Sequence, residues 1–331
     1  MKTKQTFYWP LKEKLAMNLN KVEIKLAGFL VKKNIKLKYV KSIFNISYTS
    51  QKEPYCCYDF HIPTNFTAPL PCIIYFHGGA LLSGDKSLYT HFLKQLAGLG
   101  FAVFNVNYCL MPNAEIENII SNCVSAIKHI IKNSTKYSIN PNQVVMGGDS
   151  AGAYLASYLI TQFQAGNFKT KPNLNFIGCF LYYGMFDLTK FNKIKFPILS
   201  AMHNRYVKLF DMQEKESFEK LHPNKKYVSC IKRYRKSNLF NYYKQYSTTT
   251  HLTKNFPPTF LASGKIDKLH PQTKQLLAQL KKLKIKTTAV IFPAHRKDAQ
   301  HAFLNAEFLP SAKQTKQQLE QFLLGLINRK Y

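Results

Sequence analysis

From residue 55 onward the chain alternates between short β-rich runs and longer stretches with apolar residues at helical spacing, and few architectures accept that pattern. Strands are predicted at 55–62, 72–76, 101–107, 143–147, 176–183, 259–263 and 286–292. Helices are predicted at 86–99, 115–133, 151–164, 271–283 and 311–327. The clearest helix carries Ile116, Ile119, Ile120, Cys123, Ile127, Ile130 and Ile131 on one face. Strands alternating with helices of this length require a mostly parallel central sheet with helices on both faces, an α/β fold. Hydrophobic residues make up 46% of the chain, enough to fill such a core, which excludes the disordered classes.

Two stretches break the alternation. Residues 1–50 precede it and read as a basic, largely helical segment. Residues 187–252 interrupt it between two strands and are rich in Lys, Tyr and Phe. An insertion of that length between core strands is uncommon without a role of its own. A helical cap over a substrate pocket is the natural reading, with 51–331 as the catalytic domain.

The residues around Ser150 carry the strongest chemical signal. Gly148-Asp149-Ser150-Ala151-Gly152 follows the apolar run Val144-Val145-Met146 and opens a helix. Flanking glycines are needed where a sharp strand-to-helix turn lifts a serine hydroxyl clear of the sheet. The helix N-terminus there favours a developing negative charge. Upstream, His77-Gly78-Gly79-Ala80 follows a second buried strand. Acyl transfer builds an oxyanion, and glycines let backbone N–H groups approach it closely. Gly78, Gly79 and Ala151 are the candidate donors.

A nucleophilic serine needs a base, and the base an orienting carboxylate, in the chain order Ser, acid, His. Of the seven aspartates, Asp267 follows the C-terminal end of a late strand, where catalysis gathers in parallel sheets. Asp298 reads as solvated, and Asp149 as bonding local backbone or loops rather than a histidine. His301 and His295 both follow the strand ending at Phe292. His301 precedes the apolar Ala302-Phe303-Leu304, whereas His295 is flanked by Arg296 and Lys297, cations that oppose an imidazolium. His301 is preferred; His270 reads as a turn residue.

Together these motifs resemble the hormone-sensitive-lipase-like esterases, the bacterial family IV carboxylesterases of the α/β-hydrolase superfamily. The landmarks match in order over roughly residues 55–328, joined by Asn107-Tyr108-Cys109-Leu110-Met111-Pro112 and Pro257-Pro258-Thr259-Phe260. The resemblance implies a serine carboxylesterase of short-chain or small esters. Ser150 would be its nucleophile, His301 its base and Asp267 its orienter, with Gly78, Gly79 and Ala151 as the oxyanion hole. It implies no metal and no cofactor, and a cap built from an N-terminal segment plus an insertion. Ala80 and Cys109 depart from the family's glycine and arginine. An amide hydrolase on the same fold, such as an arylformamidase or small peptidase, and a non-catalytic ligand-binding relative stand as alternatives.

Charge and cysteines bear on partners and location. The 47 Lys+Arg against 17 Asp+Glu give a formal +30. Almost all the cations are lysines spread along the chain, without a basic tail or a nucleic-acid module, so no nucleic-acid partner is expected. Leu15, Leu19, Val22, Leu26, Phe29 and Leu30 interleave with lysines over 11–40, which fits either a cap helix or a weak membrane-surface contact. Seven scattered cysteines, without CxxC spacing, argue for reduced thiols. No apolar run reaches the roughly 18 to 20 residues of a membrane span. A cytoplasmic location is expected.

Overall fold

A strand covered on both faces reads as a continuous apolar run, and Leu70–Phe76 is such a run. Cys72, Ile74 and Phe76 enter one apolar cluster, and Ile73 and Tyr75 the other. The computed structural model describes residues 39–50, 53–111, 113–168, 173–193, 197–228 and 238–327. Its strands are β1 (Val40–Ser47), β2 (Cys57–Pro63), β3 (Leu70–Phe76), β4 (Ala102–Val106), β5 (Ile139–Asp149), β6 (Phe176–Tyr182), β7 (Thr259–Gly264) and β8 (Thr287–Phe292). They form one eight-stranded sheet in the order β1-β2-β4-β3-β5-β6-β7-β8. From β4 to β8 neighbouring strands run parallel; β2 pairs antiparallel with β4, and β1 antiparallel with β2. The α/β expectation holds.

The helices are α1 (Thr90–Gly98), α2 (Ile116–Lys132), α3 (Ala151–Gln164), α4 (Pro197–Leu221), α5 (Asn238–Gln245), α6 (Thr248–His251), α7 (His270–Lys282) and α8 (Pro310–Leu326). On one face of the sheet α1 contributes Leu93 and Leu96, and α8 contributes Leu319 and Leu323. Opposite lie α2, α3 and α7, the last through Leu276 and Leu280. Every apolar residue named in sequence for α2 is buried. Its first turn is closed by a capping box between Glu115 and Asn118, with the Glu115 N–H donating to Asn118 Oδ1 at 3.2 Å.

The chain leaves β3 for β4 on one side and returns to β5 on the other, so β3 and β5 flank a topological switch point. In open α/β sheets, ligands bind outside the carboxyl ends of strands at such a point. The register pairs Phe76 with Gly148, which sets the loop after Phe76 directly beside Asp149 and Ser150.

One expectation is corrected at the N-terminal edge. Residues 40–47, read as part of a largely helical segment, form β1. Lys41, Phe44 and Asn45 face outward, so β1 lacks the two-sided apolar pattern that reveals the inner strands. Of the helix expected over 11–40, residues 11–38 lie outside the described residues. Between β6 and β7 the insertion holds a 3-10 turn (Leu188–Lys193), α4, α5 and α6. It is rooted where Gln272 Oε1 accepts from Phe186 N and Asp187 N at 3.1 and 2.8 Å, and where Thr248 meets Ser157 at 2.9 Å. Among the described residues, no helix is long and apolar enough to cross a membrane.

His61 on β2 gives the fold a measurable acid sensitivity. It is fully buried, Nδ1 meets Ser42 Oγ at 2.9 Å, and Nε2 has no hydrogen-bond partner among the described residues. Burial, helped by Lys94 and Lys86, pushes the imidazole down to about 3. Unfolded, the ring titrates near its ordinary value, so as pH falls below about 6.5 the unfolded state binds a proton that the folded state refuses. Stability is therefore lost progressively from there toward the folded value. Between about pH 7.5 and about pH 5 this group alone should remove about 2 kcal/mol. Urea unfolding at both pH values should show the wild type losing that much more than His61→Gln; equal losses would refute it.

Candidate active site

Strand β5 ends at Asp149, and Ser150 joins it to α3 with φ +50° and ψ −115°. A serine in the left-handed region is strained by roughly 1 to 3 kcal/mol, so its surroundings must hold it. They do so from both sides: Ser150 N–H donates to Tyr182 O at 2.8 Å, and Tyr154 N–H donates to Ser150 O at 3.2 Å. Neighbouring backbone comes close at the flanking glycines. A Cβ on Gly148 would lie 2.3 Å from Gly152 C, and one on Gly152 would lie 1.9 Å from Phe76 O. Glycine at 148 and 152 is thus required by close approach.

The loops after β7 and β8 bring the other two groups. Asp267 is buried, and its Oδ1 accepts from Leu269 N at 2.7 Å, which fixes the carboxylate plane. Its Oδ2 lies 3.0 Å from His301 Nδ1, and His301 Nε2 lies 3.1 Å from Ser150 Oγ. Hydroxyl, imidazole and carboxylate therefore form one hydrogen-bonded chain from residues far apart in sequence. In the tautomer whose Nδ1–H donates to Asp267, Nε2 presents its lone pair to the serine hydroxyl. Tyr183, itself at φ +38°, sets its ring edge-on to the imidazole at 5.0 Å between centroids.

The competing residues are placed elsewhere. His295 is exposed on the turn after β8. Asp298, read as solvated, receives both Arg296 Nε at 3.0 Å and Ser311 N at 2.8 Å, which holds its carboxyl below the usual range. His270 Nδ1 meets Ser263 Oγ at 3.3 Å. Among the described residues, no group of three or more His, Cys, Asp or Glu could hold a metal ion.

The glycine loop requires one correction. Gly78 N–H donates to Asp149 Oδ1 at 2.8 Å, so this amide is engaged away from any substrate and is not a free oxyanion donor. Asp149 also receives Tyr75 Oη on Oδ1 at 2.9 Å and Tyr89 Oη on Oδ2 at 3.0 Å. Burial raises its carboxyl above the usual range, opposed by those three donors and by the nearby His301. Of the proposed donors, Gly79 and Ala151 remain. Ala151 opens α3, so its N–H has no intrahelical acceptor. His77 is a strut: its ring stacks on Tyr108 at 4.3 Å, Tyr108 Oη donates to His77 O at 2.6 Å, and burial lowers its pKa. Further along, Lys86 is buried in an ion pair with Asp59 at 2.7 Å, and its N–H donates to Asn107 Oδ1 at 2.7 Å. Tyr75, Tyr89 and Tyr183 had no sequence signal, because their partners lie at distant positions.

The BD-FAE family model matches residues 58–281, a span that takes in Ser150 and Asp267. An acetyl esterase of Salmonella choleraesuis is 24% identical over 214 residues, which cover 63% of this chain and 60% of that protein. The chain thus spans about three fifths of the length of that relative. Esterase B of Lactobacillus Rhamnosis superposes with a TM-score of 0.76 at 18% identity, covering 96% of this chain and 94% of its own. The same esterase inhibited by a C4-C4 SN3 tributyrin phosphonate gives 0.74 at 18% identity over 96% and 94%. The fold is that of these α/β-hydrolase esterases. The resemblance drawn from the motifs holds, and on a match over more than half its length the chain belongs to the BD-FAE family.

Proposed function

We propose that this protein is a serine carboxylesterase acting on short-chain or otherwise small carboxylic esters. The observation that carries the proposal is the continuous chain from Ser150 Oγ through His301 to Asp267, with links of 3.1 and 3.0 Å. Ser150 Oγ attacks the ester carbonyl while His301 Nε2 takes its proton, and Asp267 stabilises the imidazolium that forms. The tetrahedral oxyanion is met by the N–H groups of Gly79 and Ala151, with Ala80, next along the loop, in the place first given to Gly78. His301 returns the proton to the departing alcohol. Water, activated by the same imidazole, then cleaves the acyl-enzyme and releases the carboxylic acid. No step draws on a metal or cofactor. The insertion at 187–252 forms the cap, and a small ester is the partner of the site in the cytoplasm. A short acyl chain is favoured by the names of the relatives, an acetyl esterase and an esterase inhibited by a tributyrin phosphonate.

A nitrophenyl series from acetate to octanoate, with the matching anilides, tests this. Acetate and butyrate should be turned over with the highest kcat/KM, the anilides far more slowly, and a fluorophosphonate should label Ser150. Folded protein inert to both the esters and the probe would overturn the reading; faster anilide cleavage would move it to amides.

A further inference from the structure

We infer that Asp149 is the positioning residue of the oxyanion loop, acting as a hydrogen-bond acceptor that locks the Gly78 amide so that the next amides face the substrate. The inference rests on the esterase reading and deepens it. Asp149 is 2% exposed and immediately precedes the nucleophile, yet its carboxyl takes no part in the Ser150–His301–Asp267 chain. Its three donors come from three different segments. Tyr75 comes from β3, Gly78 from the loop that follows β3, and Tyr89 from the 3-10 turn before α1. Carboxyl, loop and elbow are thereby held as one rigid piece.

The space at Gly78 points the same way. A Cβ built there would fall 2.4 Å from Asp149 Oδ2 and 3.0 Å from Asp149 Cγ. Residue 78 is therefore glycine because the carboxyl needs the room, whereas a donor glycine needs room for a substrate. A hydrogen bond at 2.8 Å from Gly78 N–H fixes the peptide plane that leads into Gly79. Beyond it, Gly79 takes φ +119° and Ala80 and Leu81 take φ +56° and +62°. Three consecutive residues in that region hold only when both ends of the turn are tied. The far end is tied by Leu82 N and Ser83 N, each donating to Gly79 O at 3.0 Å, and the near end by Asp149.

Acceptor geometry and charge are separable here. In Asp149→Asn the Oδ1 can keep Tyr75 and Gly78, while Nδ2 donates to Tyr89 Oη, a hydroxyl that also accepts. Asp149→Ala removes all three bonds. If the acceptor matters, Asp149→Ala should lower kcat on nitrophenyl acetate about 100-fold with KM within about 3-fold, since oxyanion contacts strengthen only in the transition state. Asp149→Asn should stay within about 10-fold of wild type. The Tyr75→Phe/Tyr89→Phe double variant, which keeps the Gly78 bond, should lose less than Asp149→Ala, and it carries the test if the alanine variant does not fold. Hydrogen exchange at the Gly78 amide should be slow in wild type and Asp149→Asn and fast in Asp149→Ala. That exchange is independent of turnover, so a wild type inactive on esters would sink the esterase reading while the amide still judged Asp149. Folded Asp149→Ala with wild-type kcat, an asparagine variant as impaired as alanine, or an unprotected Gly78 amide in the wild type would each overturn the inference.

Discussion

Ser150→Ala is expected to lower kcat on nitrophenyl acetate by about a million-fold, with His301→Ala costing nearly as much. In the proposed mechanism Ser150 Oγ supplies the bond-forming atom, and His301 Nε2, 3.1 Å away, is the base that the geometry offers its proton among the described residues. Removing either leaves the other with nothing to do, so the double variant should be no slower than the worse single one. Asp267→Asn should cost about ten thousand-fold: the amide still fits beside Leu269 N, but it offers Nδ1 no charge and disfavours the tautomer that accepts from serine. KM should move by only a few-fold in all three, because none of the groups is needed to hold the ester before reaction. Active-site titration of the wild type with a fluorophosphonate sets the concentration against which these rates are read. A double variant with losses that multiply, or His301→Ala with substantial activity, would break the proposed unit.

How much of this was legible in the sequence depended on whether a feature is local. The inner strands β3 to β7 were legible because burial between two helical layers writes apolar runs, and the helices α1, α2, α3, α7 and α8 because helical spacing survives any tertiary context, whereas α4, α5 and α6 were anticipated only as a helical insertion. Helix α3 was anticipated at its full extent, since the turn at Ser150 starts it. Strand β5 was read too short, as Ile139 to Gln143 is polar and pairs only through a register shift near Leu70. Strand β1 was missed because one side of it faces outward. At the site, chain order and strand ends brought Ser150, Asp267 and His301 together on paper, and the structure places them within hydrogen-bonding reach. Gly78 was misread for the opposite reason. Its amide is claimed by a carboxyl 71 positions away, and no spacing rule records a contact made through space. The same holds for Tyr75 and Tyr89, which identify Asp149 as a hub only once the loops are folded together.

Gly152→Ala should be among the most destructive single-methyl changes at the described glycines. The added carbon would fall 1.9 Å from Phe76 O, 2.6 Å from Phe76 C and 2.7 Å from His77 O, all of them backbone atoms. Backbone at the end of β3 cannot retreat without disturbing the pairing of Phe76 with Gly148, and that pairing fixes the loop beside Ser150. Rotating the helix away fails as well, because Gly152 C already lies where a Cβ on Gly148 would come within 2.3 Å. Overpacking that falls on backbone in a tightly packed region should cost about 3 kcal/mol or more, read as a lower urea midpoint. Activity should fall further than stability, since the strain is relieved by moving the elbow relative to the His77–Gly79 loop. Gly325→Ala provides the control: it sits in α8 with nothing within 4 Å of the new carbon, and helix propensity predicts a gain of about 0.5 to 1 kcal/mol. Should Gly152→Ala unfold at the wild-type midpoint and keep its esterase rate, then close approach between α3 and β3 would not be what holds Ser150 in place.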